Sequence, residues 1–224
     1  MFWSAVWAIF WKDVRAEFRT KDILTGMLVF AILAVLVFNF AFDLRVERPQ
    51  AVIPGVMWVA IVFAGMLGLN RSFILEQDRG SLAGILLAPV DRSAIYAGKV
   101  LGNLVFMITV EVILLPVIVI LFNVNVLMPS VLFFVLLGTV GFAIVGTIFS
   151  AIAVNTRARE VMLPVLLLPV MVPVLIAAVK GTAGILDGET LAEQMGALRL
   201  LIAFDVIFLG MAFLTFDFVL EETG

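Results

Sequence analysis

Apolar residues run along this chain in long blocks rather than in alternation, and polar residues gather between the blocks. A helix rises 1.5 Å per residue, so about 20 apolar residues cross a hydrocarbon core about 30 Å thick. The blocks predict six transmembrane helices, at 23–42, 51–70, 100–123, 127–154, 161–179 and 200–216, the fourth long enough to tilt or project. Membrane β-strands would instead alternate apolar and polar residues over about ten positions, which excludes a barrel. The polar passage from Arg71 to Lys99 is the one long hydrophilic stretch and is predicted to join the second and third spans.

The first twenty residues carry a different pattern. At 100° per residue, Trp3, Trp7, Phe10, Trp11, Val14 and Phe18 fall in one arc, with Lys12, Arg15 and Arg19 beside it. That is the pattern of a helix lying in the headgroup layer. It predicts a membrane-anchoring belt, or a lever packed against a partner or a second copy. Charges interrupt the segment and no small-residue cleavage site follows it, so it is not read as a signal peptide. The predicted organisation is an interfacial amphipathic helix at 1–22, then a six-helix transmembrane domain at 23–224 with a loop at 71–99.

Composition agrees: 64% of residues are hydrophobic and 14% charged, with a mean hydropathy of +1.23, whereas a soluble domain carries about a quarter charged residues. The expected fold class is an all-α polytopic membrane protein. Lys and Arg concentrate in cytoplasmic loops, and ten of the fourteen fall on one side if the amino terminus is inside: Lys12, Arg15, Arg19, Lys21, Arg71, Arg79, Arg92, Lys99, Arg157 and Arg159. Only Arg45, Arg48, Lys180 and Arg199 fall on the other. Both termini and the 71–99 loop are therefore expected in the cytoplasm. The net charge of -3 on a membrane chain says nothing useful about nucleic acid, and no nucleic-acid partner is expected.

The chain has no cysteine and no histidine. Disulfides, thiolate or imidazole metal sites and Cys- or His-based nucleophilic triads are thereby excluded within this polypeptide, and enzymatic chemistry is not expected. Two ionisable residues lie within spans, Glu111 near the middle of the third and Asp205 nearer the outer end of the sixth. Each is expected either to join helices by hydrogen bonding or to lie on a substrate or proton path. Pro164, Pro169 and Pro173 in the fifth span and Pro116 in the third remove backbone donors, which predicts kinked or broken helices. Gly98 and Gly102, and the small residues from Gly138 to Ala151, predict close helix packing.

The 71–99 loop is more specific. Gly80 permits a sharp turn, Ser81 can cap a short apolar turn through Leu82, Ile85, Leu86 and Leu87, and Pro89 stops it. Asp91 reads as the N-cap of the next helix, with Val90 and Ile95 spaced as a hydrophobic staple. Apolar side chains rimmed by Glu76, Asp78, Arg79, Asp91 and Arg92 make the composition of a docking surface.

The run E-x-D-x-G-S-L-x-x-x-L-L-x-P-V-x-R, from Glu76 to Arg92, resembles the cytoplasmic loop of type-2 ABC exporter permeases. PGVMWVA (Pro54–Ala60), EQDRGSLAGILLAP (Glu76–Pro89) and LPVLLLPVMVPVLIAAVK (Leu163–Lys180) narrow the resemblance to the CcmB family, the membrane subunit of a haem exporter in c-type cytochrome maturation. The resemblance spans essentially the whole chain. It implies a bacterial inner-membrane permease with haem as transported substrate, a CcmA-like ATPase, a second copy of the permease, and CcmC-like and CcmD-like membrane subunits. The chain has no GxxxxGK[ST] phosphate loop, so ATP is expected on the partner. Closure of the ATPase would push on the Ser81–Leu87 knuckle and rock the second and third spans, with the broken fifth span providing compliance. A general type-2 exporter for a lipid, drug or glycan, and a proton-coupled carrier using Glu111, are the other two readings.

Overall fold

In the computed structural model, the described residues are 2–42, 49–78, 90–153, 156 and 159–221. They form helices α1 (Phe2–Thr20), α2 (Asp22–Phe42), α3 (Pro49–Asp78), α4 (Arg92–Phe122), α5 (Pro129–Ala153), α6 (Arg159–Leu186) and α7 (Met195–Glu221), with no strand among them. Six of these, α2 to α7, are long and apolar enough to cross a membrane. The chain is an all-α, multi-pass membrane protein.

α3 and α5 are the inner helices. In each, 72% of the span is buried, against 22% in α2 and α7, which face outward. Small residues let neighbours approach α5 closely: Gly138 faces the Trp58 indole of α3, Gly146 faces Leu69 of α3, and Gly141 faces Asp205 of α7. Lipid tails are as apolar as leucine, so close packing and interhelical hydrogen bonds hold such a bundle together. Trp58 Nε1 donates to Thr182 Oγ1 of α6 at 3.2 Å, Tyr96 Oη of α4 to the Ile144 carbonyl at 2.9 Å, and Asn103 Nδ2 of α4 to Thr147 Oγ1 at 3.0 Å. Ser150 Oγ of α5 donates to the Leu69 carbonyl at 2.8 Å.

The predicted spans hold, with two corrections at their edges. α6 continues past residue 179 to Leu186, carrying Lys180 on its exposed side, because a long basic side chain can reach water from within a helix. A Schellman closure then ends it: Glu189 N–H donates to the Gly184 carbonyl at 2.9 Å and Gly188 N–H to the Ile185 carbonyl at 3.1 Å, with Gly188 at φ +94°. α7 begins at Met195 rather than residue 200. A capping box just ahead sets that start, Glu193 Oε2 accepting from Thr190 N–H at 2.6 Å and Thr190 Oγ1 from Glu193 N–H at 3.4 Å. The expected proline breaks are absent. α6 runs unbroken through Pro164, Pro169 and Pro173, and α4 through Pro116.

α1 has three faces rather than two. Trp3, Trp7, Trp11 and Phe18 are exposed, as an interfacial belt requires. Val6, Ile9, Val14 and Glu17 are buried, so Val14 belongs to the inward face and not to the tryptophan arc. That inward face lies along α4.

Candidate functional site

The loop singled out in the sequence is held between two long helices. Glu76 and Asp78 fall in the last turn of α3, while Arg79, Gly80, Ser81, Leu82, Ile85, Leu86, Leu87 and Pro89 lie outside the described residues. On the far side Asp91 occupies the N-cap position of α4, as expected, but its side chain makes no capping hydrogen bond. Arg92 is the first helical residue. Val90 packs against the apolar cluster that contains Ile95, the two residues spaced as a hydrophobic staple. The same cluster contains Ile9 of α1, Tyr96 of α4, Ile148 and Ala151 of α5, and Ala212 and Phe216 of α7. Four helices therefore meet beside the point where α4 leaves the loop.

A charge cluster missed in the sequence secures this base. Lys99 of α4 is 1% exposed, and its Nζ lies 2.8 Å from Asp13 Oδ2 of α1. Lys12 Nζ lies 2.9 Å from the other oxygen of the same carboxylate. Burial pushes the Asp13 carboxyl up, but the ammonium charges of Lys99 and Lys12 outweigh it and hold the group below its ordinary 3.8. Asp13 is thus a carboxylate clamped between two cations. The glycine pair of α4 explains the close approach: a Cβ at Gly98 would sit 2.9 Å from Ile9 Cβ, and one at Gly102 would sit 3.6 Å from Asp13 Oδ2. The close helix packing expected of this GxxxG pair is present, and its partner is the interfacial helix α1.

One turn on from Asp13, Glu17 faces the same way. Its Oε1 accepts from Ile23 N–H at 3.0 Å and Leu24 N–H at 2.8 Å, filling two of the open donors at the start of α2. Lys21, at φ +56°, makes the turn between the two helices. Burial raises the Glu17 carboxyl and the neighbouring Asp22 charge adds to that, while the two amide bonds and the charge of Arg71 on α3 oppose it. The signal was present in the sequence as Asp13 and Glu17 four residues apart, aligned with Val6 and Ile9.

The two intramembrane carboxyls both sit near the middle of their helices. Thr139 Oγ1 of α5 hydrogen-bonds Glu111 Oε1 of α4, and Glu111 is buried. Glu111 also lines a cleft of about 270 Å³ between α4 and α5, together with Ile108, Val112, Leu115, Leu127, Val135 and Leu136. Asp205 is deeper than expected, 8% exposed, because α7 starts early. Its Oδ1 has no hydrogen-bond partner among the described residues and packs on Gly141.

The CcmB protein family model matches residues 4–221. The chain belongs to the CcmB family. Relatives called heme exporter protein B align over most of it. That of Pseudomonas aeruginosa is 28% identical over 74% of this chain and 74% of the relative. The Bradyrhizobium diazoefficiens protein is 27% identical, covering 83% and 84%, and the Paracoccus denitrificans protein 26% identical, covering 92% and 93%. Two segments that suggested CcmB in the sequence meet in the core. PGVMWVA supplies Trp58, and the proline-rich segment forms most of α6, which bonds Trp58 through Thr182.

In this CcmB-family chain the Glu111 carboxyl has the geometry of a helix joint. Glu111→Gln is expected to retain function, since an amide oxygen accepts the Thr139 bond equally well, whereas Glu111→Leu should cost about 0.6 kcal/mol of helix association. Transport activity and membrane accumulation measure the two effects. An inactive Gln variant that accumulates normally would place Glu111 on a proton path instead.

Proposed function

We propose that this chain is the membrane subunit of an ATP-driven exporter complex of the bacterial inner membrane. It couples the motion of a separate ATPase to haem translocation or to release of a haem chaperone during c-type cytochrome maturation. The supporting observation is the alignment of nearly the whole chain with heme exporter protein B relatives. In this reading residues 76–92 face the cytoplasm and receive the ATPase, through Leu82, Ile85, Leu86 and Leu87 within a rim of Glu76, Asp78, Arg79, Asp91 and Arg92. Gly80, Ser81 and Pro89 shape that element. α3 and α4 carry the displacement into the bilayer as packed bodies that switch between discrete arrangements. A CcmA-like ATPase, CcmC-like and CcmD-like subunits and a second copy of the chain complete the complex, and haem is its substrate.

Deleting the chain from a bacterium that makes both c-type and b-type cytochromes tests the assignment. Covalently attached haem should disappear from stained gels while b-type haem spectra persist. Retention of both would point to export of an unrelated substrate.

A further inference from the structure

We infer that α1 is a force-bearing part of the coupling unit, tied to α4 by the Asp13–Lys99 pair, so that the two move as one body and hand displacement on to α2. This rests on the function proposed above and adds to it the residues that carry the load. A lysine 1% exposed is costly to bury, and its carboxylate partner comes from a helix whose opposite side exposes its tryptophans. If anchoring were the only task, the exposed tryptophan face would suffice. The inward face instead holds Asp13 on α4 and Glu17 on the first amides of α2, while Ile9 joins the cluster beside Val90 where α4 emerges from the loop. Displacement of α4 at its first turns must therefore drag α1, and α1 holds α2 through the Glu17 cap. Asp13, Glu17 and Lys99 are positioning residues that touch no substrate.

The full complex in membranes provides the test. With Lys99→Met the chain should accumulate, the ATPase should co-purify and hydrolyse ATP, and covalently attached haem should fall about tenfold, a typical coupling between sites. Lys99→Arg, and the reversed pair Asp13→Lys with Lys99→Asp, should restore it. Full output from Lys99→Met, or loss of the ATPase from that variant alone, would overturn the tie. Absence of the ATPase from the unaltered chain's complex would overturn the underlying function as well.

A second measurement does not depend on the buried charge. The chain has no cysteine, so Ile9→Cys with Ile95→Cys, both in the apolar cluster where α1 meets α4, places a single thiol pair between the helices for cross-linking by a short bifunctional maleimide. The cross-linking yield should be the same without nucleotide and with ATP trapped on the ATPase. A yield that drops severalfold on trapping would show that the helices separate, and would overturn the inference.

Discussion

Gly138→Val should keep the chain from accumulating in the membrane. A Cβ at residue 138 would overlap three atoms of the Trp58 indole, which is 2% exposed. The ring cannot swing away, because its N–H is held by Thr182 at 3.2 Å and the neighbouring α3 side chains Ile53, Val56, Met57 and Ile61 are themselves buried. Overpacking a filled core costs up to about 3 kcal/mol, and here it falls where α3, α5 and α6 meet. Gly210→Val is the matched control, since a Cβ there meets nothing within 4 Å on an exposed part of α7. Immunoblots of membrane fractions should show the first variant depleted and the second at the normal level. Equal levels would mean that the tryptophan can move and that this junction is softer than its packing indicates.

The spans were legible in the sequence because the bilayer imposes a length, and a length survives any detail of packing. Their ends are set more locally. The start of α7 depends on the reciprocal Thr190–Glu193 bonds, and the end of α6 on the positive φ of Gly188, neither of which hydrophobicity records. Proline chemistry suggested a kinked or broken fifth span, yet α6 runs unbroken with Pro169 and Pro173 on its exposed side, while Leu163, Leu167, Met171 and Val174 on the other face are buried in the bundle and hold the helix across the missing donors. The inward face of α1 was hidden for another reason. Asp13 and Glu17 look like members of a solvated polar face until α4 supplies Lys99 and α2 supplies its open amides.

The same packing bears on the carrier alternative. Two carboxyls near mid-membrane, rather than one, are present once Asp205 is placed at its true depth. They approach α5 at Thr139 and Gly141, two residues apart and so about 200° around the helix. The body of α5, about 10 Å across, stands between them. Carboxyls on opposite sides of one helix do not share a proton site, so their number alone gives a carrier mechanism no support.

Leu86→Glu is expected to have the largest effect on function. In the proposed docking element Leu86 lies at the apolar centre, where contact with the ATPase would remove water, while the charged residues form the rim. A carboxylate there must be buried unpaired on docking, and central interface positions commonly cost about 2 kcal/mol or more, roughly a 30-fold loss of affinity. The substitution should leave the helices in place, because the stems on either side are held independently. Ser150 bonds the Leu69 carbonyl on the α3 side, and Tyr96, Asn103 and Lys99 secure α4. The variant should therefore accumulate normally, lose the co-purifying ATPase and lose covalently attached haem. Arg92→Glu, at the rim, should do the same more weakly, since charges away from the centre of an interface contribute less to affinity and more to encounter. Normal haem attachment with the ATPase still bound in Leu86→Glu would move the docking surface away from residues 76–92.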